Sequence, residues 1–122
     1  MAWSEWKKFG GGLDNPTLLW TNQTPNVAFN AQTLNISNLS DYEYIMVESY
    51  GGAGQHDIGV TPSVQIYKNN TSNALSSYYT DNYITMRLMK CSGNSITFDN
   101  GYIKANASTS GSYCIPYKIY GI

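Results

Sequence analysis

No apolar stripe of helical period lasts three turns anywhere after residue 12 of this 122-residue chain; the pattern that recurs has period two. In Tyr42–Tyr50 (YEYIMVESY), Ile45 and Val47 alternate with Tyr44, Met46 and Glu48. In Tyr83–Lys90 (YITMRLMK), Ile84, Met86 and Leu88 point one way and Thr85, Arg87 and Met89 the other. Val64–Tyr67, Ile96–Phe98 and Tyr113–Tyr120 read similarly, and β-branched and aromatic residues dominate these runs, as a pleated, half-buried surface favours. In the last run Ile115, Tyr117 and Ile119 are expected on one face, with Cys114, Lys118 and Tyr120 on the other. Pro116 lacks an N–H, so an edge position, or a nitrogen turned out of the ladder, is expected for it.

The breaks between runs are turn-forming. Gly51-Gly52-Ala53-Gly54 follows one strand, Lys68–Ser77 (KNNTSNALSS) reads as a long polar connection, and Ser92-Gly93-Asn94 separates two strands. Asn100-Gly101, between Ile96–Phe98 and Tyr102–Lys104, predicts a tight hairpin, because Asn-Gly tolerates the positive φ angles of a type I′ turn. Seven to nine short strands at a spacing of roughly 8–12 residues predict an all-β, antiparallel β-sandwich, jelly-roll-like. The length suits one domain, assigned to residues 13–122. Ahead of it, Trp3, Trp6 and Phe9 recur every three residues before Gly10-Gly11-Gly12. Three exposed aromatics on a lone helical turn are unstable in water. Residues 1–12 are therefore expected either to fold back on the sandwich or, as the favoured reading, to contact another chain.

Charge narrows the partners. Charged residues are 12% of the chain, against roughly 25% in ordinary soluble domains, and Asn, Ser, Thr, Gly and 11 tyrosines take their place. Such a surface makes hydrogen bonds and ring contacts rather than long-range fields. The seven basic residues are scattered and the net charge is −1, so nucleic acid is not an expected partner. No 18-residue apolar run is present to span a membrane, and MAWSEWKKFGGG has no apolar stretch of signal-peptide length. Cys91 and Cys114 match no metal or redox spacing and read as small buried residues, with a disulfide between neighbouring strands as the alternative. No metal or cofactor is expected.

Gly51–Gly54 followed by Gln55-His56-Asp57 lacks the Lys-Ser/Thr pair and the following helix of a phosphate-binding loop. His56, the only histidine, could form an acid–base pair or half a metal site with Asp57, but no sequence pattern joins it to a Ser-His-Asp or Cys-His set, and a polar loop tip is the favoured reading. Of eight acids only Glu48 lies mid-strand, and nothing in the sequence pairs it with the second carboxylate that glycoside hydrolysis needs. An enzyme is therefore not expected, and Gln55, His56 and Asp57 are candidates for ligand contact from a loop. The richer cluster is Tyr78-Tyr79 and Tyr83 around Asp81 and Asn82. Aromatic rings beside Asp and Asn suit the apolar C–H faces and hydroxyls of saccharides, and also suit protein surfaces.

Two stretches carry a resemblance. Leu18-Leu19-Trp20-Thr21-Asn22, Pro25, Ala28-Phe29 and Ala31-Gln32-Thr33, leading into Leu39–Ile45, resembles the opening of small β domains in tail-fibre and other tail proteins of phages and prophages of Gram-positive bacteria. Cys114–Ile122 (CIPYKIYGI) looks like the close of the same domains. The resemblance spans about residues 13–122. It implies a virion structural or receptor-binding domain, commonly at the tip of a homotrimeric fibre assembled in the host cytoplasm. It transfers no catalytic residue, and it makes the loops Gly51–Gly59 and Lys68–Asn82 the receptor-binding candidates. The expectation is an adhesion module for a bacterial surface glycan or protein. A purely structural virion protein is the alternative, and a cell-wall-polymer hydrolase a distant third.

Overall fold

The computed structural model describes residues 16–54, 59–66, 69–78, 83–104 and 108–122. Among the described residues are ten strands: β1 (Thr17–Thr21), β2 (Gln32–Asn35), β3 (Tyr44–Gly52), β4 (Thr61–Ile66), β5 (Thr71–Tyr78), β6 (Ile84–Ser92), β7 (Ser95–Phe98), β8 (Gly101–Ile103), β9 (Ser108–Ser110) and β10 (Tyr113–Gly121). A single 3₁₀ turn, Leu39–Asp41, is the only helical element among the described residues. One sheet has the order β1-β10-β3-β4; the other runs β2-β7-β6-β8-β9, with β5 on the opposite edge of β6. All pairings are antiparallel, and the two sheets form a β-sandwich.

The period-two reading of β3 holds: Ile45 and Val47 are buried while Tyr44, Met46 and Glu48 turn outward. With Ile119, Leu75, Met89, Cys91, Ile96 and Phe98 they form the interior. Phe29, from the β1–β2 connection, closes one side by edge-on contacts with Phe98 (5.4 Å) and Trp20 (6.0 Å). Cys91 and Cys114 are both buried free thiols.

Three local expectations are corrected. The polar run Lys68–Ser77 is largely strand: β5 pairs with β6 over eight residues, Thr71↔Cys91 through Tyr78↔Ile84. On the inward face of β5 Leu75 and Ser77 are buried and Thr71 and Asn73 half-buried, so the strand buries little apolar surface and its sequence looks like a loop. Asn100-Gly101 is not a hairpin turn. β7 and β8 lie end to end along the same edge of β6, through Met89↔Phe98 and Met86↔Tyr102, with an irregular step at Asp99-Asn100 between them. The Asn100 side chain instead accepts the Ala31 N–H at 2.8 Å. Gly101 is required for close approach, since a Cβ there would stand 2.0 Å from the Tyr113 carbonyl oxygen. The tight hairpin is the next break upstream, Gly93-Asn94, with Ser92 paired to Ser95 and Gly93 at φ +57°. Gly51 and Gly52, finally, are buried strand residues at the end of β3, not the start of a loop.

The last strand also departs from strict alternation. It is central, not an edge, and a bulge between Pro116 and Lys118 shifts its register against β3. Cys114, Ile115 and Pro116 are all buried, whereas Tyr117 is half-exposed beside Tyr50 and does not share a face with Ile119. A bulge is one of the few places where a central strand accepts a proline. The carbonyls freed there are taken by Asn22, whose side-chain amide donates to Pro116 O (2.9 Å) and whose backbone N–H donates to Tyr117 O (2.7 Å).

β6 presents Thr85, Arg87, Met89 and Cys91 inward, so the whole Arg87 side chain is buried. Its Nε donates to Cys114 O (2.7 Å), Nη1 to Asp99 O (2.6 Å), and Nη2 to Gly111 O (3.0 Å) and Tyr113 O (2.7 Å). The Phe29 ring covers the guanidinium at 5.3 Å. Successive carbonyls of a regular strand point to opposite edges, but Cys114 is left-handed (φ +50°), which lets Tyr113 and Cys114 both aim at the cation. Burial lowers the Arg87 pKa to about 10, which leaves it charged at neutral pH. Beside it Thr85 donates to Gly51 O (2.7 Å), and the Ser49 and Ser77 hydroxyls bond to each other, with the Cys114 sulfur 3.9 Å from Ser49. Burial pushes the Cys114 thiol pKa up, so it stays neutral and unreactive.

Candidate functional site

The sequence candidates Tyr78 and Tyr83 flank the β5–β6 connection. Tyr78 is the last residue of β5, directly opposite Ile84 of β6, and Tyr83 immediately precedes Ile84. All three are about equally open, at 44%, 45% and 44% exposure for Tyr78, Ile84 and Tyr83. Tyr79, Asp81 and Asn82 lie outside the described residues, as do Gln55, His56 and Asp57 and the aromatic segment Trp3, Trp6 and Phe9. A groove of about 240 Å³ adjoins Tyr78 and Ile84 and is otherwise lined by Thr61, Ser76 and Ser77. It joins the start of β4 in one sheet to the end of β5 in the other.

Apolar character continues from this groove along the outside of the larger sheet. The outward neighbours are Ser76↔Met86 and Ala74↔Leu88, with Leu88 44% exposed, and Tyr102 donates its hydroxyl to Met86 Sδ at 3.0 Å. The charge nearest the far end is Lys90, opposite Ser72. A surface of this kind offers ring faces, methyl groups and hydroxyls, and no fixed field.

A second cluster escaped the sequence reading. On the outside of the smaller sheet the register sets Glu48 opposite Lys118 and Met46 opposite Tyr120, and the bulge adds Tyr117 to the same neighbourhood. The Tyr117 and Tyr50 rings are 5.1 Å apart at 44°. Burial raises the Tyr120 pKa and the neighbouring Glu48 carboxylate adds to the rise, which favours the protonated phenol. Burial, then the charges of Tyr117 and Glu48, raise the Tyr50 pKa. The only sequence signal was the alternation Tyr44, Met46, Glu48, Tyr50; its partners are about 70 residues away and reach it by sheet pairing.

Another concavity, of about 310 Å³, is lined by Asn35, Ile36, Ser37, Ser92, Asn94 and Ser95, and two of these side chains hold turns. Asn94 Oδ1 accepts from both the N–H and the hydroxyl of Ser40, and Ser95 donates to Ser92 O. Among the described residues no three His, Cys, Asp or Glu side chains gather as metal ligands. Glu48 itself faces Lys118 across the β3–β10 pair, with Tyr120 on the same outer face.

Comparison with protein-family models, with curated proteins and with solved structures finds no match to this chain.

Proposed function

We propose that this chain is a non-catalytic adhesion domain of a phage tail or tail fibre, carried on the outside of the virion, and that it binds a bacterial surface glycan. The observation that carries the reading is the open pair Tyr78 and Ile84 beside a mainly apolar groove, with the exposed Tyr83 next in sequence, on a sheet face poor in charge. Sugar rings present apolar C–H faces to aromatic side chains and hydroxyls to Ser and Thr, and rigid rings bind at low entropic cost. The resemblance of residues 18–45 and 114–122 to tail-protein β domains supports the same setting. A homotrimer belongs to this reading.

Binding of the purified protein to glycan arrays and to a panel of Gram-positive cells is the test. Tyr78→Ala and Tyr83→Ala are each expected to weaken binding about tenfold, worth ~1.4 kcal/mol, with unchanged circular dichroism. Absence of any glycan or cell binding, or binding indifferent to both substitutions, would overturn the proposal.

A structural virion protein is the second reading, favoured by one observation: Ile84 and Leu88 stand open along the same stripe as Ala74 and Met86. On that reading Leu88→Glu dissociates the oligomer in light scattering while cell binding is never seen. A monomer at micromolar concentration would remove both the trimer and this alternative.

A further inference from the structure

The cluster on the outer face of the smaller sheet shares no residue with the Tyr78 groove. β3 and β10 are adjacent central strands, so Glu48, Tyr50, Tyr117, Lys118 and Tyr120 stand on the most firmly paired part of the sheet. On this outer face Glu48 stands opposite Lys118, Met46 stands opposite Tyr120, and Tyr50 follows along β3; burial, with the Glu48 charge adding to it, raises the pKa of both tyrosines. Tyr50 and Tyr117 form an open V, 5.1 Å between centroids and tilted by 44°, not a flat platform. The protein's own Lys118 Nζ sits 5.1 Å from the centre of the Tyr117 ring.

We propose that this cluster recognises the protonated amino group of an unacetylated amino sugar. Ring faces carry negative electrostatic potential and attract ammonium groups, most strongly where water is partly excluded. A carboxylate at the centre of such rings adds a full charge of the same sign. Lys118 already shows an ammonium held over the Tyr117 face; a ligand amine would take that place and leave Lys118 free to swing into solvent. The phenolic hydroxyls around Glu48 give the sugar hydroxyls partners, which a bare alkylammonium would leave unused. An N-acetylated sugar brings no charge and gains only ring contact.

The site stands on different residues from the Tyr78 groove, so each reading can fail without the other. The experiment is calorimetric titration of the full chain with a short glucosamine oligomer, its N-acetylated counterpart and choline, at a pH where the amine is protonated. The glucosamine oligomer is expected to bind, the acetylated form at least tenfold more weakly, and choline more weakly than the oligomer. Glu48→Gln is expected to abolish the preference for the amine, Tyr117→Ala to weaken binding about tenfold, and Lys118→Met to strengthen it severalfold by removing the internal competitor. Equal binding of the two oligomers, indifference to Glu48→Gln, weaker binding in Lys118→Met, or no binding of the glucosamine oligomer would overturn the proposal. A choline affinity above that of the oligomer would overturn its assignment to a sugar.

Discussion

Replacing Arg87 by methionine is expected to unfold this domain or lower its melting temperature by more than about 15 °C. Buried ion pairs can often be exchanged for apolar residues with little loss, because both charged partners leave together. Here the partners are four main-chain carbonyls, of Asp99, Gly111, Tyr113 and Cys114, which no side-chain substitution removes; Gly111 O keeps a second donor, the Phe29 N–H at 2.8 Å, and the other three lose the guanidinium. Each unpartnered buried acceptor costs about 1–3 kcal/mol. A total of at least ~4 kcal/mol is a large share of the 5–15 kcal/mol that holds a typical domain, and ~4 °C per kcal/mol converts it to the melting shift for this size. Arg87→Lys should rescue little, since an ammonium projects its donors from one point and cannot span carbonyls that the planar fork reaches from three nitrogens. Thermal denaturation followed by circular dichroism checks both variants. A methionine variant within ~1 kcal/mol of the parent would show that the carbonyls find other donors, and would refute the account of Arg87 as the fastener of this end of the sandwich.

Deleting Ile119–Ile122 should be equally severe. Ile119 is fully buried and is paired on both sides, with Trp20 of β1 and Val47 of β3. Ile122 and Tyr44 exchange backbone hydrogen bonds at 3.0 and 3.3 Å. Gly121 packs so closely under Tyr42 that a Cβ would lie 2.5 Å from its ring. Removing these residues empties an isoleucine-sized space, worth about 2–5 kcal/mol alone, and strips β1 of most of its partners. The expected result is aggregated or unfolded protein on expression. A soluble truncation with parental melting and a dispersed proton NMR spectrum would contradict it.

How much of this was readable beforehand depends on range. β3 and β6 were legible because alternation is imposed locally, by the pleat, on every residue of a strand with two different faces. β5 was not, because its inward face needs only Leu75 and a hydroxyl, and its register comes from β6. Asn100-Gly101 has hairpin chemistry, yet the chain there runs straight on along β6; the glycine answers to the crowding of Tyr113 and the asparagine to the amide of Ala31. Of the candidate site, Tyr78 and Tyr83 were found by their clustering in sequence, and both are open to solvent. The Glu48 cluster was invisible because residues 48–50 and 117–120 meet only across a strand pair whose bulge no composition rule announces.

The sequence by itself determined that this chain is a β-sandwich, since period-two burial and closely spaced turns admit little else. It also determined a surface poor in charge and rich in tyrosine. Only the tertiary structure decided which face of each strand is the inner one. On hydropathy alone Ile84, Met86 and Leu88 would be buried and Arg87 exposed, but the fold does the reverse. The reason is that irregular backbone at Asp99, Gly111, Tyr113 and Cys114 leaves carbonyls that a sheet ladder cannot satisfy, and a guanidinium with Phe29 above it can. The apolar side chains thereby turned outward form the open surface proposed for binding.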